Sequence, residues 1–189
     1  MDYTVITGGP GAGKTTLIEQ LAAKGFACVA ESGRAIIKDQ SAIGGPGLPW
    51  ESVELFAELM LSRDLRAHRE SAALDSAVFF DRGIVDTIGY LRLEGRPVPG
   101  HFDTAARRLR YRRVFIAPFW PEIYTADAQR KQTPDVARAT HDAISAAYRE
   151  YGYRPVELPP ATVEERVEFV MERISRASAA TAPPSGRTG

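Results

Sequence analysis

Short, unbroken apolar runs alternate along this chain with longer stretches whose apolar positions recur at helical spacing. Runs at 3–7, 26–30, 77–81, 112–117 and 153–158 predict strands. Ala77-Val78-Phe79-Phe80 and Val114-Phe115-Ile116-Ala117 show no polar alternation, as expected of parallel strands covered on both faces. Helices are predicted over 13–24, 51–74, 83–94, 102–110, 134–151 and 162–177. The last is the clearest, because Val163, Val167, Val170, Met171 and Ile174 form one apolar stripe. Thr162 with Glu165 three residues on predicts a capping box at its start. Pro134 suits the first turn of the helix before it. The Gly/Pro-rich segment 41–50 reads as a loop, and the Ala-rich end from 178 to 189 as a disordered tail behind a domain spanning 1–177. Alternating strands and helices imply an α/β fold with an open parallel sheet flanked by helices, whose ligands sit at the carboxyl ends of the strands.

Composition narrows the classes. The chain has 189 residues, with 24 basic and 24 acidic side chains. That length suits one core, and the balanced charge offers no basic face for nucleic acid or an anionic membrane. No apolar run reaches the length of a bilayer span, and the first residues read as strand rather than export signal. A single cysteine, Cys28, lies in an apolar strand and reads as a small buried hydrophobe; three scattered histidines give no zinc spacing. A cytoplasmic protein is expected, free of membrane and nucleic-acid partners.

The chemistry begins at the first strand. Gly8-Gly9-Pro10-Gly11-Ala12-Gly13-Lys14-Thr15 follows Tyr3–Thr7 and opens a helix, which makes it a complete phosphate-binding loop in its proper setting. The glycines let backbone N–H groups approach phosphate oxygens, Lys14 reaches the outer phosphates, and Thr15 is placed to ligate Mg²⁺. The third strand ends in Asp81-Arg82-Gly83. Asp81 there either supports the metal or accepts a proton from an attacking hydroxyl, unless it only caps the next helix. Glu31, after the second strand, is a second candidate for base or substrate ligand, or a helix-start carboxylate. Arg34 reads as a surface arginine, and Asp86 as a helix-start residue or a substrate contact. After the fourth strand, an aromatic stretch leads to Arg130 and Lys131, where a mobile lid would deliver a cation to the migrating phosphoryl group; Arg130 is the first choice. Trp50, Phe119 and Trp120 are candidates either for stacking a ring substrate or for core packing. Arg63, Arg66 and Arg69, interleaved with Asp64 and Glu70, read as a solvated helix face.

Taken together, Val5 through Leu17 (including Thr16), Glu31 with Arg34, Phe80-Asp81-Arg82-Gly83 with Asp86, Trp120 to Gln132, and Gly152-Tyr153 through Glu165-Arg166 resemble the small AAA-type ATPases of bacteria. That family is related to the ribosylnicotinamide kinase domain of an NAD-biosynthesis regulator and to an animal GTP-binding trafficking protein. The resemblance covers about residues 2 to 175 and implies a nucleoside- or nucleotide-kinase-like fold with strand order 2-3-1-4-5 and a lid after the fourth strand. At this length the helical lid domain and ring assembly of a hexameric AAA+ motor are not expected. The expected activity is ATP- and Mg²⁺-dependent phosphoryl transfer. The acceptor would be a small hydroxyl-bearing molecule such as a nucleoside or cofactor precursor, and a homodimer is compatible. The alternatives are a plain ATPase and a nucleotide-dependent switch acting through a protein partner.

Overall fold

The computed structural model describes residues 2–118, 120 and 134–179. Five strands form one parallel sheet: β1 (Tyr3–Gly8), β2 (Ala27–Val29), β3 (Val78–Asp81), β4 (Arg113–Ala117) and β5 (Val156–Glu157), in the order β2-β3-β1-β4-β5. β1 is central, with Tyr3 paired in register to Val78 and Thr4 to Arg113. The strand order expected from the family resemblance is the one observed.

Strand side chains alternate between two cores. Tyr3, Val5, Val78, Phe80, Val114 and Ile116 face one side, and Ile6, Phe79, Phe115 and Ala117 the other. Apolar residues at every position are what burial of both faces demands. The second face is covered by α1 (Lys14–Ala23) and α7 (Val163–Ala179), through Leu17 and Leu21 from one and Val167, Val170 and Ile174 from the other. Over the first face pack α2 (Ser32–Ile43), α3 (Val53–Glu70), α4 (Ile84–Leu93), α5 (Gly100–Arg108) and α6 (Pro134–Glu150). α7 starts as expected: Thr162 Oγ1 accepts from the Glu165 N–H at 3.3 Å, and Glu165 Oε2 accepts from the Thr162 N–H at 2.9 Å.

One helix was not expected. α2 runs Ser32–Ile43 with Glu31 as its N-cap, so the first three residues of the segment read as a loop complete a helix, which Gly44 ends in the left-handed region at φ 63°. Its sequence hides it: Gly33 stands in the first turn, and only Gly33 and Ile36 are buried, too few for an apolar stripe. α7 runs to Ala179, two residues into the segment assigned to the tail. No helix among the described residues is long and apolar enough to cross a membrane.

Candidate active site

The phosphate loop wraps from the end of β1 to the start of α1. Gly8 has φ +130°, and a Cβ there would lie 2.5 Å from the Ala117 carbonyl oxygen on β4, so only glycine fits. Gly11 and Gly13 are also in the left-handed region, at φ 71° and 75°, and Gly13 is the N-cap of α1. This backbone turns the loop's N–H groups and the positive helix end toward one point. Lys14 begins the helix; its side chain is 7% exposed, and its Nζ donates to the Gly9 carbonyl at 2.6 Å. Burial, reinforced by Arg82, lowers Lys14 to about 7 against the partial compensation of Asp81, Glu31 and Asp86. The lysine is thus held desolvated at the place where polyphosphate charge would favour its protonated form.

The other strand ends converge on the same edge. Asp81, the last residue of β3, is 8% exposed. Burial raises its pKa, with Lys14 and Arg82 opposing. Its Oδ1 is buried with no hydrogen-bond partner among the described residues. An orphaned carboxylate oxygen beside Lys14, with Thr15 on the same cleft wall, fits the hard oxygen donors that Mg²⁺ takes when phosphates and water complete its shell.

Arg82 follows with φ +70°, a conformation that costs roughly 1–3 kcal/mol outside glycine. Carboxylates on both sides hold it there: Nε donates to Glu31 Oε1 and Nη1 to Asp86 Oδ1, each at 3.3 Å. Burial pulls the guanidinium down, but Glu31, Asp86 and Asp81 outweigh it, and the net shift is upward. Asp86, 5% exposed, anchors the set. Its Oδ1 also accepts from the Thr7 hydroxyl, and its Oδ2 accepts from Tyr148 OH at 2.6 Å and the Gly83 N–H at 2.9 Å. Four donors occupy both of its oxygens. Asp86 therefore has its helix-start role, lines the adjoining cleft and orients Arg82. Thr7 and Tyr148 complete the network, and nothing in their local sequence announces it, because α6 meets α4 only in three dimensions.

A cleft of about 1230 Å³ opens beside the loop, between α2, α3, α4 and α6. Glu31, Asp81, Arg82 and Thr15 line it together, so these four predicted positions are brought to one place. Arg34 is exposed, as expected, and stands at the rim of the cleft with Nε 3.9 Å from Glu31 Oε2. Trp50 is 65% exposed at the same cleft, so it is not core. Trp120 packs elsewhere, against Arg166 at 4.9 Å. Arg130, Lys131 and Phe119 lie outside the described residues.

One polar residue departs from its sequence reading, and another had none of its own. The arginines of α3 are solvated, and Arg66 pairs with Glu70 at 2.7 Å. Asp64, however, lines the cleft instead of sharing that face. Burial raises it to about 7, against a hydrogen bond with Ser32. Arg166 on α7 is 2% exposed; Nη1 donates to the Ala12 carbonyl at 2.8 Å and Nε to the Pro159 carbonyl at 2.9 Å. This arginine ties α7 to the phosphate loop across 154 residues of sequence. Its only sequence signal was its place in the segment carrying the family resemblance.

The sequence profile described as an AAA domain matches residues 3–166. No curated protein matches the chain. Among solved structures, the deoxyadenosine kinase from M. mycoides with products dCMP and dCDP bound aligns at TM-score 0.68 and 13% identity, covering 92% of this chain and 99% of that one. NadR protein in complex with NR aligns at TM-score 0.71 and 16% identity, over 100% of this chain and 54% of NadR. Thymidylate kinase from Ehrlichia chaffeensis gives 0.62 and 14%, over 92% and 98%. At these identities the likeness is one of fold: this chain has the architecture of P-loop nucleoside and nucleotide kinases.

Proposed function

This chain belongs to the family described as an AAA domain, and we propose that it is a Mg²⁺-dependent phosphotransferase. It would move the γ-phosphate of ATP to the hydroxyl of a small molecule such as a nucleoside or cofactor precursor. The observation that carries the reading is the cleft. It adjoins the phosphate loop, and its volume of about 1230 Å³ exceeds the roughly 300–1,000 Å³ usual for one small ligand. Glu31, Asp81 and Arg82, which follow or end β2 and β3, line that space and act electrostatically on Lys14 of α1. Water as sole acceptor would need no such second compartment.

The residues divide by position. The loop amides and Lys14 bind the β- and γ-phosphates, and Thr15 with Asp81 would hold Mg²⁺. When bound, the metal neutralises charge on the phosphate oxygens. Arg82, fixed between Glu31 and Asp86, presents its guanidinium toward the cleft, where a phosphoryl or acceptor oxygen gains charge. Glu31, hydrogen-bonded to Arg82 and lining the same cleft, accepts the acceptor's hydroxyl proton. The new bond joins the acceptor oxygen to Pγ as the Pγ–O bond to the β-phosphate breaks; ADP leaves with that electron pair. Arg130 would add a cation from the segment after β4.

The test is transfer of labelled γ-phosphate from ATP to a panel of nucleosides, cofactor precursors and aminoglycoside-like hydroxyl compounds. A labelled small molecule is expected, with kcat falling at least 100-fold in Glu31→Gln while ATP affinity holds. Release of inorganic phosphate alone, unchanged by every acceptor, would overturn the reading.

A further inference from the structure

Of the carboxyls lining the cleft that the transfer chemistry leaves unused, Glu94 is exposed and Asp64 is partly buried. Glu31 and Asp86 are each bonded to Arg82, and Asp81 faces Lys14. Asp64 is different. It projects from α3, an element separate from the phosphate-binding edge, and its polar contact is the Ser32 hydroxyl, one residue from Glu31. Among the described residues no cation pairs with it. Ile37, Phe56, Met60, Tyr90 and Ile144 line the same cleft and give it a large apolar surface. Phe56 and Tyr90 stack edge to face at 5.7 Å and form a rigid aromatic corner. A lone carboxyl in an apolar slot costs desolvation and gives no packing in return. Such a group makes sense as a reader of ligand N–H groups, with the aromatic and thioether surfaces holding a flat ring beside it.

We propose that Asp64 selects the acceptor: the phosphate acceptor carries a planar ring whose amino N–H donates to the Asp64 carboxyl, while its hydroxyl lies toward Glu31. The proposal deepens the phosphotransferase reading and rests on it for the ligand's being a substrate. Burial, by raising Asp64 to about 7, adds a useful property. Near neutrality the carboxyl offers an O–H donor as well as an acceptor, which matches an amino group next to a ring nitrogen. A ring in which the amino group is absent leaves that carboxyl unpaired and is rejected.

The experiment is calorimetric titration of the full chain, with Mg²⁺ and a non-hydrolysable ATP analogue present. The probes are two matched pairs: adenosine against purine riboside, and cytidine against its 4-deamino analogue. Each amino nucleoside is expected to bind at least ~10-fold tighter than its partner. Asp64→Leu should erase that ratio by weakening the amino member alone, with the affinity for the ATP analogue unchanged. Asp64→Asn keeps a carbonyl acceptor and an N–H donor, so it should retain the preference, which a purely structural role would not require. A wild-type ratio near one, a ratio that survives Asp64→Leu, or no binding by any of the four overturns the proposal. Selective binding without γ-phosphate transfer would instead uphold Asp64 and remove the transferase reading. Transfer that ignores Asp64→Leu would do the reverse.

Discussion

Replacing Lys14 with methionine should make the protein more stable while removing nucleotide binding. The buried ammonium titrates near 7 in the fold, against an ordinary value of 10.5. Between those values the unfolded chain binds more protons at this site than the folded one. The lysine therefore opposes folding at neutral pH, and the opposition fades as pH rises toward 10.5. Integrating the two titrations gives a cost of about 4 kcal/mol at pH 7, falling to about 1 kcal/mol at pH 9.5. Methionine preserves the length of the stem that α1 packs and carries no charge. Urea unfolding of wild type and Lys14→Met at both pH values cancels the titrating groups that do not interact with Lys14, leaving the lysine and its coupling to Asp81 in the difference. A stabilisation of a few kcal/mol at pH 7, shrinking by more than half at pH 9.5, is expected. A variant that is destabilised at pH 7, or whose gain is the same at both pH values, would refute the picture of a lysine held desolvated for phosphate. By the same linkage, ATP binding should take up protons between pH 7 and 9, which calorimetry in buffers of different ionisation enthalpy reads directly. Zero uptake would place the ammonium in water.

Other outcomes test the framework around the loop. Gly8→Ala puts a Cβ 2.5 Å from the Ala117 carbonyl at a φ of +130°; a loss of about 2–4 kcal/mol by urea titration is expected, and less than 1 would mean the loop yields easily. Tyr148→Phe removes a 2.6 Å donor from buried Asp86 and should cost about 1–3 kcal/mol of stability, with a fall in kcat as Arg82 loses its mooring. Arg166→Met cuts the bond to the Ala12 carbonyl; ATP affinity should weaken about tenfold, and an unchanged Kd would show that the loop holds its shape without α7.

Much of this architecture is written locally. A short continuous apolar run bounded by turns fits a strand covered on both faces, and the stripe of α7 with its Thr162–Glu165 box fits a surface helix; both are what the structure has. The phosphate loop is legible because eight consecutive residues carry the whole device: the glycine conformations, the lysine and the helix start. Asp81 and Glu31 could be nominated because strand ends in such a sheet share an edge, and that inference needs only chain order.

What the sequence could not express are relations between residues far apart in the chain. Whether a polar residue on a helix meets water or a cleft depends on a rotation set by packing, so Asp64 is indistinguishable from its solvated neighbours until α2, α4 and α6 enclose it. α2 escaped notice because a helix resting on two buried residues leaves no periodic trace. Asp86 reads as an ordinary helix-start acid; only the arrival of Thr7, Gly83 and Tyr148 turns it into the fixed support of Arg82. Local residue types and spacing determined the phosphate loop, since eight consecutive residues build it. The wall of the adjoining cleft was decided by tertiary structure, because it is assembled from four helices and depends on which few side chains they turn inward.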